Sequence, residues 1–535
     1  MCAFALGLTR CSSGIEAPDG AFTSLPPMVM FAADVPPAPV LIAPSGSGAS
    51  PRPTFQWEAA SGASFYELFV IESSTGNIFW QEGYPGDTHC VAGTCSLTPD
   101  LALSMGSATW WVRAANDVGH GRWSAAMTFS VESKRSAFEG GIYPQGERFG
   151  LVLLSAELTD PAAMQEALAA GWNVADSYWS SYWSDGGISP AFIDQAASQG
   201  FLAWAALDAQ NYFAGCGASG GCFPYSESYM SGVIAERAAK GSMVWWSLPE
   251  EQRYWYAGEM DVVNSYASWT RVYDPAQRPN LMYIPGHYGV DAIAEYVPAL
   301  DVVPASIYSQ YKGQPHAWTR WRVESTVEAI AKAGASVGRD YLHGDKTVAA
   351  YLELFDYSGV SWPTRPTTAQ GSVHDFWQAI VSGARALIVY AHVYRHVTPE
   401  LTASWAALCN AAKALTGPEN LEGALLYGTK EAGVSLDLLA GPPRTPPFLP
   451  DEPDAAMMDY PSADFLAVRY DGYVFVIVVS SAEDASIQVA VNGLPGAASA
   501  DVLFEGRTLP LIDGRLVDDV ESLGVHVYRA GKGGH

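Results

Sequence analysis

The chain has few charged residues and very few basic ones. Asp, Glu, Lys and Arg make up 16% of its 535 residues, and 29 Lys and Arg stand against 56 Asp and Glu, which gives a net charge of −27. A surface this acidic repels phosphate backbones, so we expect no nucleic-acid partner. Such a surface is typical of a protein that works in a secreted or saline setting.

Cysteine is also scarce, with seven residues in the chain. The spacings of Cys90 to Cys95 and of Cys216 to Cys222 predict two small disulfide-closed loops, and therefore an oxidising compartment. Neither pair has a second Cys or His pair at zinc spacing, so we expect no metal site. Cys409 lies in a helical pattern and is predicted to be a buried free thiol.

Several other signals are missing. No apolar run reaches the length of a transmembrane helix, and no phosphate-binding loop, nucleophile elbow or zinc-protease motif occurs, so we expect no membrane span and no cofactor. Residues 1–35 are predicted to be leader and linker, although their short apolar start lacks a basic segment. Together these features predict a monomeric protein of bacterial type that is secreted, periplasmic or on the cell surface.

Aromatic residues are abundant. They make up 12% of the chain, with 18 Trp and 27 Tyr. Surplus Trp and Tyr suit flat amphipathic ligands such as sugar rings, and they also fill large cores, so both interpretations stay open. A chain of this length with 49% hydrophobic residues is expected to form two to four packed domains.

Residues 36–132 are predicted to form a β-sandwich, because short alternating strands follow one another between turn residues. The expected strands are Thr54–Trp57, Phe65–Glu72, Ala108–Arg113 and Met127–Val131. The segments Phe55-Gln-Trp57, Phe65-Tyr-Glu-Leu, Trp110-Trp-Val-Arg-Ala-Ala-Asn and Gly121-Arg-Trp-Ser124 resemble a fibronectin type III module. The resemblance implies a spacing, bracing or binding role for this region.

Residues 140–420 are predicted to form a (β/α)₈ barrel, because strands alternate with helical stretches such as Asp160–Ala170, Ser226–Lys240 and Trp318–Ala335. The eight expected strands are Phe149–Ser155, Asn173–Trp179, Phe201–Asp208, Met243–Glu251, Asn280–Gly286, Val302–Tyr311, Thr347–Tyr357 and Ala386–Tyr394.

Residues 421–535 lose the helical period and are predicted to form an antiparallel β-sandwich. Its expected strands are Phe465–Tyr470, Tyr473–Ser480, Ala485–Val491, Ala500–Phe504 and Gly524–Tyr528, after a proline-rich loop at Gly441–Pro453. The whole chain is thus expected to be multidomain, with a TIM barrel between two β-sandwiches.

Two of the barrel strands end in carboxylates. The fourth ends in Pro249-Glu250-Glu251, and the seventh carries Glu353 and Asp356 at its end. Because active sites of such barrels form at the C-terminal strand ends, these side chains are expected to face one mouth. Two facing carboxylates are the minimum apparatus for cleaving a glycosidic bond.

This placement resembles the 4/7 superfamily of retaining glycoside hydrolases. The resemblance implies an acid/base Glu at the end of strand four and a nucleophilic Glu353 at the end of strand seven. The chain departs from the superfamily's Asn-Glu at strand four, so Glu251 is the favoured acid/base and Glu250 the alternative. An inverting mechanism stays open, as does the choice of glycan and of internal or terminal cleavage.

Other polar and aromatic side chains at strand ends are candidates for binding the carbohydrate. They are Asp176, Trp179, Trp183, Asp208, Trp246, His287, Tyr288, Tyr308 and Tyr394. Each also has a structural interpretation, as a helix cap, a packing residue or a satisfied core histidine. Pro249-Glu250-Glu251 likewise fits the first turn of a surface helix, in which the two carboxylates have no catalytic role. At the end of strand seven, either Glu353 is buried and Asp356 exposed, or the reverse.

Two functions are consistent with the sequence. The first is a secreted glycoside hydrolase acting on a polysaccharide or oligosaccharide with two Glu residues. The second is a non-catalytic carbohydrate-binding or adhesion protein that keeps only the groove of the barrel.

Overall fold

The computed structural model describes residues 35–49, 53–72, 78–99, 103, 106–131, 142–143, 146–176, 183–184, 187–209, 224–337, 341, 346–452, 455–495 and 498–531. The chain divides into two compact units, Met1–Lys134 and Arg135–His535. No helix in these ranges is long and apolar enough to cross a membrane.

The first unit contains two β-sheets around one core. Its elements are β1 (Leu41–Ala43), β2 (Gly46–Ala49), β3 (Phe55–Glu58), β4 (Phe65–Glu72), β5 (Ile78–Pro85), α1 (Gly86–His89), β6 (Cys90–Val91), β7 (Thr94–Leu97), β8 (Gly106–Asn116), β9 (Gly119–Trp123) and β10 (Met127–Val131). One sheet has the order β1-β3-β7-β6, and the other has the order β2-β10-β8-β4-β5 with β9 against β8. All four predicted strands are present.

Strand alternation explains the core of this unit. Phe55 and Trp57 lie two residues apart on β3 and turn to the same face, where they meet Tyr66 and Trp110 of the second sheet. The predicted disulfide between Cys90 and Cys95 is formed. The second predicted pair, Cys216 and Cys222, lies outside the described residues.

The second unit is built on a closed barrel of eight parallel strands, which confirms the predicted barrel. Its strands are β11 (Gly150–Leu153), β12 (Val174–Ala175), β15 (Leu202–Ala206), β16 (Met243–Ser247), β17 (Asn280–Leu281), β18 (Val302–Ser306), β19 (Thr347–Glu353) and β20 (Ala386–Tyr390). A separate hairpin of β13 (Trp183–Ser184) and β14 (Gly187–Ile188) lies in the chain between β12 and β15. Each strand is shorter than predicted at its C-terminal end, where the chain leaves the ladder to form the mouth.

Helices cover the outside of the barrel. They are α2 (Pro161–Ala169), α3 (Pro190–Ser198), α4 (Glu227–Ala238), α5 (Ala257–Tyr273), α6 (Val290–Tyr296), α7 (Ala317–Ser336), α8 (Ala369–Val381), α9 (Pro399–Thr416) and α10 (Leu421–Tyr427), with a 3₁₀ turn at His392–Tyr394. Local sequence sets their starts. Asp160 accepts hydrogen bonds from the N–H groups of Ala162 and Ala163 before α2, and Ser226 accepts one from Tyr229 before α4.

The barrel interior is filled by large side chains. Trp204 and Trp245 lie in the interior cluster with their ring centroids 6.5 Å apart. Because neighbouring residues of a strand point to opposite faces, Trp246 must point outwards to the helices. The barrel is therefore packed below its mouth, and any binding site has to lie at the strand ends.

The C-terminal part of the second unit forms two antiparallel sheets around a second core. Its strands are β21 (Thr429–Lys430), β22 (Ser435–Ala440), β23 (Ala463–Tyr470), β24 (Tyr473–Ser480), β25 (Ile487–Asn492), β26 (Ser499–Val502), β27 (Arg507–Pro510), β28 (Leu516–Val520) and β29 (Val525–Ala530). Asp471 and Gly472, both at positive φ, form the two-residue turn between β23 and β24. All five predicted strands are present.

The proline-rich loop after β22 is tied to the barrel. Phe448 is buried against Trp318 of α7, with ring centroids 5.9 Å apart, and pairs with Met458 across a β-bridge. Three residues later, Asp451 is within 2.8 Å of the ammonium group of Lys312. The loop therefore brings two acidic residues, Asp451 and Glu452, to the barrel mouth.

Candidate active site at the barrel mouth

A cavity of about 720 Å³ opens at the C-terminal ends of the strands, and we call it the main cavity. It has the size and position expected of a barrel active site. Its lining comes from the ends of the fourth to eighth barrel strands and from α7. The lining residues are Glu251, Arg253, Trp255, Tyr283, Pro285, Gly286, His287, Tyr288, Ser306, Tyr308, Tyr311, Lys312, Trp318, Phe355, Asp356, Tyr390 and Tyr394.

Glu251 is the strand-four carboxylate in the main cavity. Its backbone is held at φ +55°, and its N–H donates a hydrogen bond of 3.1 Å to the carbonyl of Tyr283. A left-handed conformation costs a non-glycine residue roughly 1–2 kcal/mol, and such strain concentrates at functional sites. Although Glu251 stands at the rim, the surrounding cavity wall desolvates its carboxyl group and raises the pKa. A carboxyl group whose pKa is raised in this way is better suited to act as an acid.

The neighbouring Glu250 is half-buried. Burial raises the pKa of Tyr351, deep at the barrel axis, and the negative charge of Glu250 raises it further. The same charge contributes to the raised pKa of Tyr308. Glu250 therefore lies near the aromatic wall of the main cavity, although Glu251 is the one of the two that lines the cavity.

Glu353 has an environment different from that expected of a nucleophile. It ends β19 as predicted, but it is 4% exposed and is not among the residues that line the main cavity. Its Oε1 accepts a hydrogen bond of 2.7 Å from the N–H of Gln310, and its Oε2 accepts one of 3.1 Å from the N–H of Tyr311. Burial outweighs these two bonds and raises the pKa of Glu353 to about 8. Burial therefore favours the protonated form of Glu353, which is a weaker nucleophile than the carboxylate.

Asp356 supplies a strand-seven carboxylate to the main cavity instead. It is exposed, and its Oδ1 accepts a hydrogen bond of 2.9 Å from the N–H of Ser358, which fixes the turn after β19. Of the two arrangements that the sequence leaves open, the structure has Glu353 buried and Asp356 exposed. Glu251 and Asp356 thus line one cavity.

The loop after β18, residues 307–312, is held from two sides. Glu353 binds its backbone, and Ser309 donates a hydrogen bond of 3.2 Å to Asp375 of α8. This loop contributes three side chains to the main cavity, Tyr308, Tyr311 and Lys312. Glu353 therefore helps to hold the loop that carries this part of the cavity wall.

Aromatic rings form the inner wall of the main cavity. Tyr283 stacks on Tyr308 with ring centroids 6.2 Å apart, and Phe355 packs against Tyr308 and Tyr390 at 5.3 and 5.4 Å. Burial raises the pKa of Tyr283 and of Tyr308, so their hydroxyl groups stay neutral and can donate hydrogen bonds. A wall of rings with polar edges suits the faces and hydroxyl groups of a sugar.

The end of the fifth strand forms the rim. His287 and Tyr288 both line the main cavity, as predicted for the strand ends. The buried Arg322 donates a hydrogen bond of 2.6 Å to the carbonyl of Tyr288 and fixes this turn. Burial, helped by Lys312, lowers the pKa of His287, and burial raises that of Tyr288 to about 12, so both are neutral near pH 7.

The remaining predicted residues occupy varied positions. Tyr394 lines the main cavity from the 3₁₀ turn after β20. Asp176 is buried at the end of the second strand, where its charge contributes to the raised pKa of Tyr351. Asp208 is buried, and its Oδ1 accepts a hydrogen bond of 2.7 Å from the N–H of Ala209. Trp179 and the side chain of Trp183 lie outside the described residues.

Trp246 corrects one prediction. It is fully buried, and its Nε1 donates a hydrogen bond of 2.9 Å to Oδ2 of Asp274 at the end of α5. Strand alternation sends its side chain towards the helices, away from the mouth, so it has no contact with a ligand there. Trp246 is a structural residue.

Several cavity residues were not predicted as site residues. Trp255, Tyr283 and Phe355 line the main cavity together with the exposed Asp356. Phe355 and Asp356 directly follow the predicted Glu353-Leu354 pair, so the acidic strand end contained the signal. Tyr283 lies within the predicted fifth strand, two residues beyond its observed end.

One cluster within the described part of the chain has the ligand types of a metal site: His316, His374 and Asp375, all buried. It lies outside the main cavity, where Nδ1 of His316 and Nδ1 of His374 donate hydrogen bonds of 3.0 and 2.9 Å to Asp375, and Thr319 donates a third of 2.8 Å. Burial lowers the pKa of His316, but the Asp375 carboxylate outweighs this and raises it overall. Direct hydrogen bonds thus satisfy the carboxylate without an ion.

The chain matches no known protein-family model and no curated protein. It is similar in fold to solved structures, among them an α-amylase from Anoxybacillus (TM-score 0.44, 8% identity, covering 75% of this chain and 94% of that one). A GH27 β-L-arabinopyranosidase from Geobacillus stearothermophilus has a TM-score of 0.43 and 11% identity, and the match covers 72% of this chain and 95% of that one. A GH30 endoxylanase from Clostridium papyrosolvens has a TM-score of 0.41 and 11% identity, and the match covers 72% of this chain and 96% of that one. At these scores and identities the likeness is too distant to assign a family.

Proposed function

We propose that the chain is a glycoside hydrolase that cleaves an O-glycosyl bond of a polysaccharide or oligosaccharide. The observation that carries the proposal is the main cavity, which holds Glu251 and Asp356 among aromatic rings at the strand ends. Two carboxyl groups that face one cavity are the minimum apparatus for hydrolysis of a glycosidic bond.

Glu251 takes the role of the acid/base. Its raised pKa favours the protonated form, and it lines the main cavity, whereas Glu250 does not. In the first step Asp356 attacks the anomeric carbon while Glu251 gives its proton to the leaving oxygen. In the second step Glu251 takes a proton from water, the resulting hydroxide attacks the anomeric carbon, and Asp356 leaves. This is a retaining mechanism of the 4/7 type, in which Asp356 replaces Glu353 as the nucleophile.

The electrostatics of the main cavity favour a neutral substrate. Its cationic side chains are paired, because Lys312 lies 2.8 Å from Asp451 and Arg253 forms an ion pair with Glu259. With a chain charge of −27, nothing in this arrangement favours an acidic glycan. We therefore propose a neutral polysaccharide or oligosaccharide.

The remaining proposals concern the context of the enzyme. The two-sheet core of the first unit, with Phe55 and Trp57 on an early strand, supports a fibronectin type III-like module that spaces or binds glycans. The disulfide between Cys90 and Cys95 supports a secreted or periplasmic location. We propose that the protein is a monomer without a nucleic-acid partner.

A broad panel of neutral polysaccharides and aryl glycosides tests the proposal. The wild-type protein is expected to release reducing ends from at least one substrate, and nuclear magnetic resonance of the first product gives its anomeric configuration. Retention supports the two-step mechanism, and inversion refutes it. Binding to glycans without any cleavage would favour the alternative function, a carbohydrate-binding protein.

A further inference from the structure

A second cavity of about 430 Å³ adjoins the main cavity, and we call it the side cavity. The two share three lining residues, Trp255, His287 and Tyr288. These residues form the rim between them, so a ligand that crosses the rim enters both cavities.

The rim is an aromatic shelf that faces solvent. Trp255 is 58% exposed and Tyr254 is 41% exposed, values far above those of the packed Trp and Tyr residues in the barrel. Their rings lie 4.9 Å apart at 88°, and Tyr288 packs against Tyr254 at 5.7 Å and against Trp255 at 5.9 Å. These contacts hold the rings in place before any ligand arrives, which lowers the entropic cost of binding.

The floor of the side cavity is polar. Oε1 of Glu452 accepts a hydrogen bond of 3.3 Å from the N–H of Val290, which begins α6. A side chain at Gly289 would approach Glu452 to 3.1–3.2 Å, so the glycine keeps this floor open. Asp291 is paired with Lys332. A half-buried carboxylate beside aromatic rings offers hydrogen-bond acceptors for hydroxyl groups, together with a flat apolar surface for a ring.

We propose that the side cavity is a second sugar-binding subsite, in which Trp255 stacks on a sugar unit next to the one in the main cavity. The substrate is then a chain of neutral sugars that runs across the rim, rather than a single sugar on a small leaving group. This inference rests on the proposed function, since it assumes that the glycosidic bond is cleaved in the main cavity.

The test compares long and short substrates in variants of the rim. Trp255→Ala is expected to lower kcat/KM about tenfold or more on oligosaccharides of four to six sugars, as truncation of an aromatic anchor does. Because Trp255 also lines the main cavity, some loss is expected on the aryl glycoside of the single sugar as well, but it is expected to be at least about fivefold smaller than the loss on the oligosaccharides. Trp255→Phe, which keeps a ring, is expected to recover most of the loss. Tyr229→Ala removes an exposed aromatic residue of α4 that lines neither cavity and serves as the matched control.

Equal losses of Trp255→Ala on long and short substrates, or no loss on either, would overturn the proposal of a second subsite. A binding measurement separates this failure from failure of the proposed function. Calorimetric titration of oligosaccharides into wild-type and Trp255→Ala protein is expected to show the tenfold weakening even if nothing is cleaved. Unchanged oligosaccharide affinity in Trp255→Ala refutes the subsite.

Discussion

Glu353→Gln distinguishes a buried positioning residue from a nucleophile. The wild-type carboxyl group has its pKa raised from 4.5 to about 8 by burial, so the folded protein keeps a proton that the unfolded chain releases above pH 4.5. Stability therefore falls as the pH rises from about 4.5 to about 8 and then stays level, with a total loss on the order of 5 kcal/mol. Glutamine does not titrate and resembles the protonated form in shape.

The NH2 group of this glutamine cannot accept the N–H bond that the second carboxyl oxygen accepts, so the variant is expected to be about 1–3 kcal/mol less stable than wild type at pH 5 and to gain stability relative to wild type as the pH rises to 8.5. Urea unfolding followed by tryptophan fluorescence at both pH values measures this difference. Glu328→Gln, an exposed substitution on α7, is the matched control and is expected to show no such pH-dependent gain. Hydrolysis by Glu353→Gln is expected to stay within about tenfold of wild type, because the residue acts only through the backbone of Gln310 and Tyr311.

The reasoning fails if Glu353→Gln loses hydrolysis by about 10⁴-fold while its stability follows the wild-type pH dependence. That result would restore Glu353 as the nucleophile and show that its carboxylate is ionised in the folded enzyme.

Three further predictions follow from the same structure. Glu251→Gln is expected to lower kcat about 10²–10⁴-fold, and an unchanged kcat in this variant would contradict the acid role. A pH–rate profile of the wild type is expected to show activity falling as the pH rises through the raised pKa of Glu251. Trp246→Phe removes the hydrogen bond to Asp274 and is expected to cost about 1–3 kcal/mol in thermal unfolding with KM unchanged; a raised KM would return Trp246 to the site. Phe448→Ala is expected to cost about 3–5 kcal/mol in stability and to raise KM on oligosaccharides, because Phe448 anchors the loop that brings Glu452 to the side cavity. A stability loss with KM unchanged would show that the loop is not part of the site.

The barrel could be predicted from the sequence because its signals are local. Apolar runs such as Met243–Ser247 alternate with capped helices, and eight such repeats allow few other arrangements. The position of Trp246 was predicted wrongly, although the strand pattern contained the signal. Its neighbour Trp245 fills the barrel interior, and strand alternation then forces Trp246 outwards.

The surroundings of the acidic residues could not be predicted, because they depend on contacts between residues far apart in the chain. Glu353 lies two residues beyond the interior-facing Tyr351, so the strand pattern favours an inward side chain at this position. Its carboxyl group is instead taken by the N–H groups of Gln310 and Tyr311, more than forty residues away in the chain. The side cavity depends in the same way on a distant residue, since Glu452 comes from the C-terminal part of the chain.

Trapping of the glycosyl-enzyme tests the central claim most directly. A 2-deoxy-2-fluoro glycoside with a good leaving group, made from the sugar that the panel identifies, slows the second step and leaves the sugar on the nucleophile. Peptide mass spectrometry is predicted to find the label on Asp356 in the wild-type and Glu353→Gln proteins, and no label in Asp356→Asn. A label on Glu353 would contradict this account of the site.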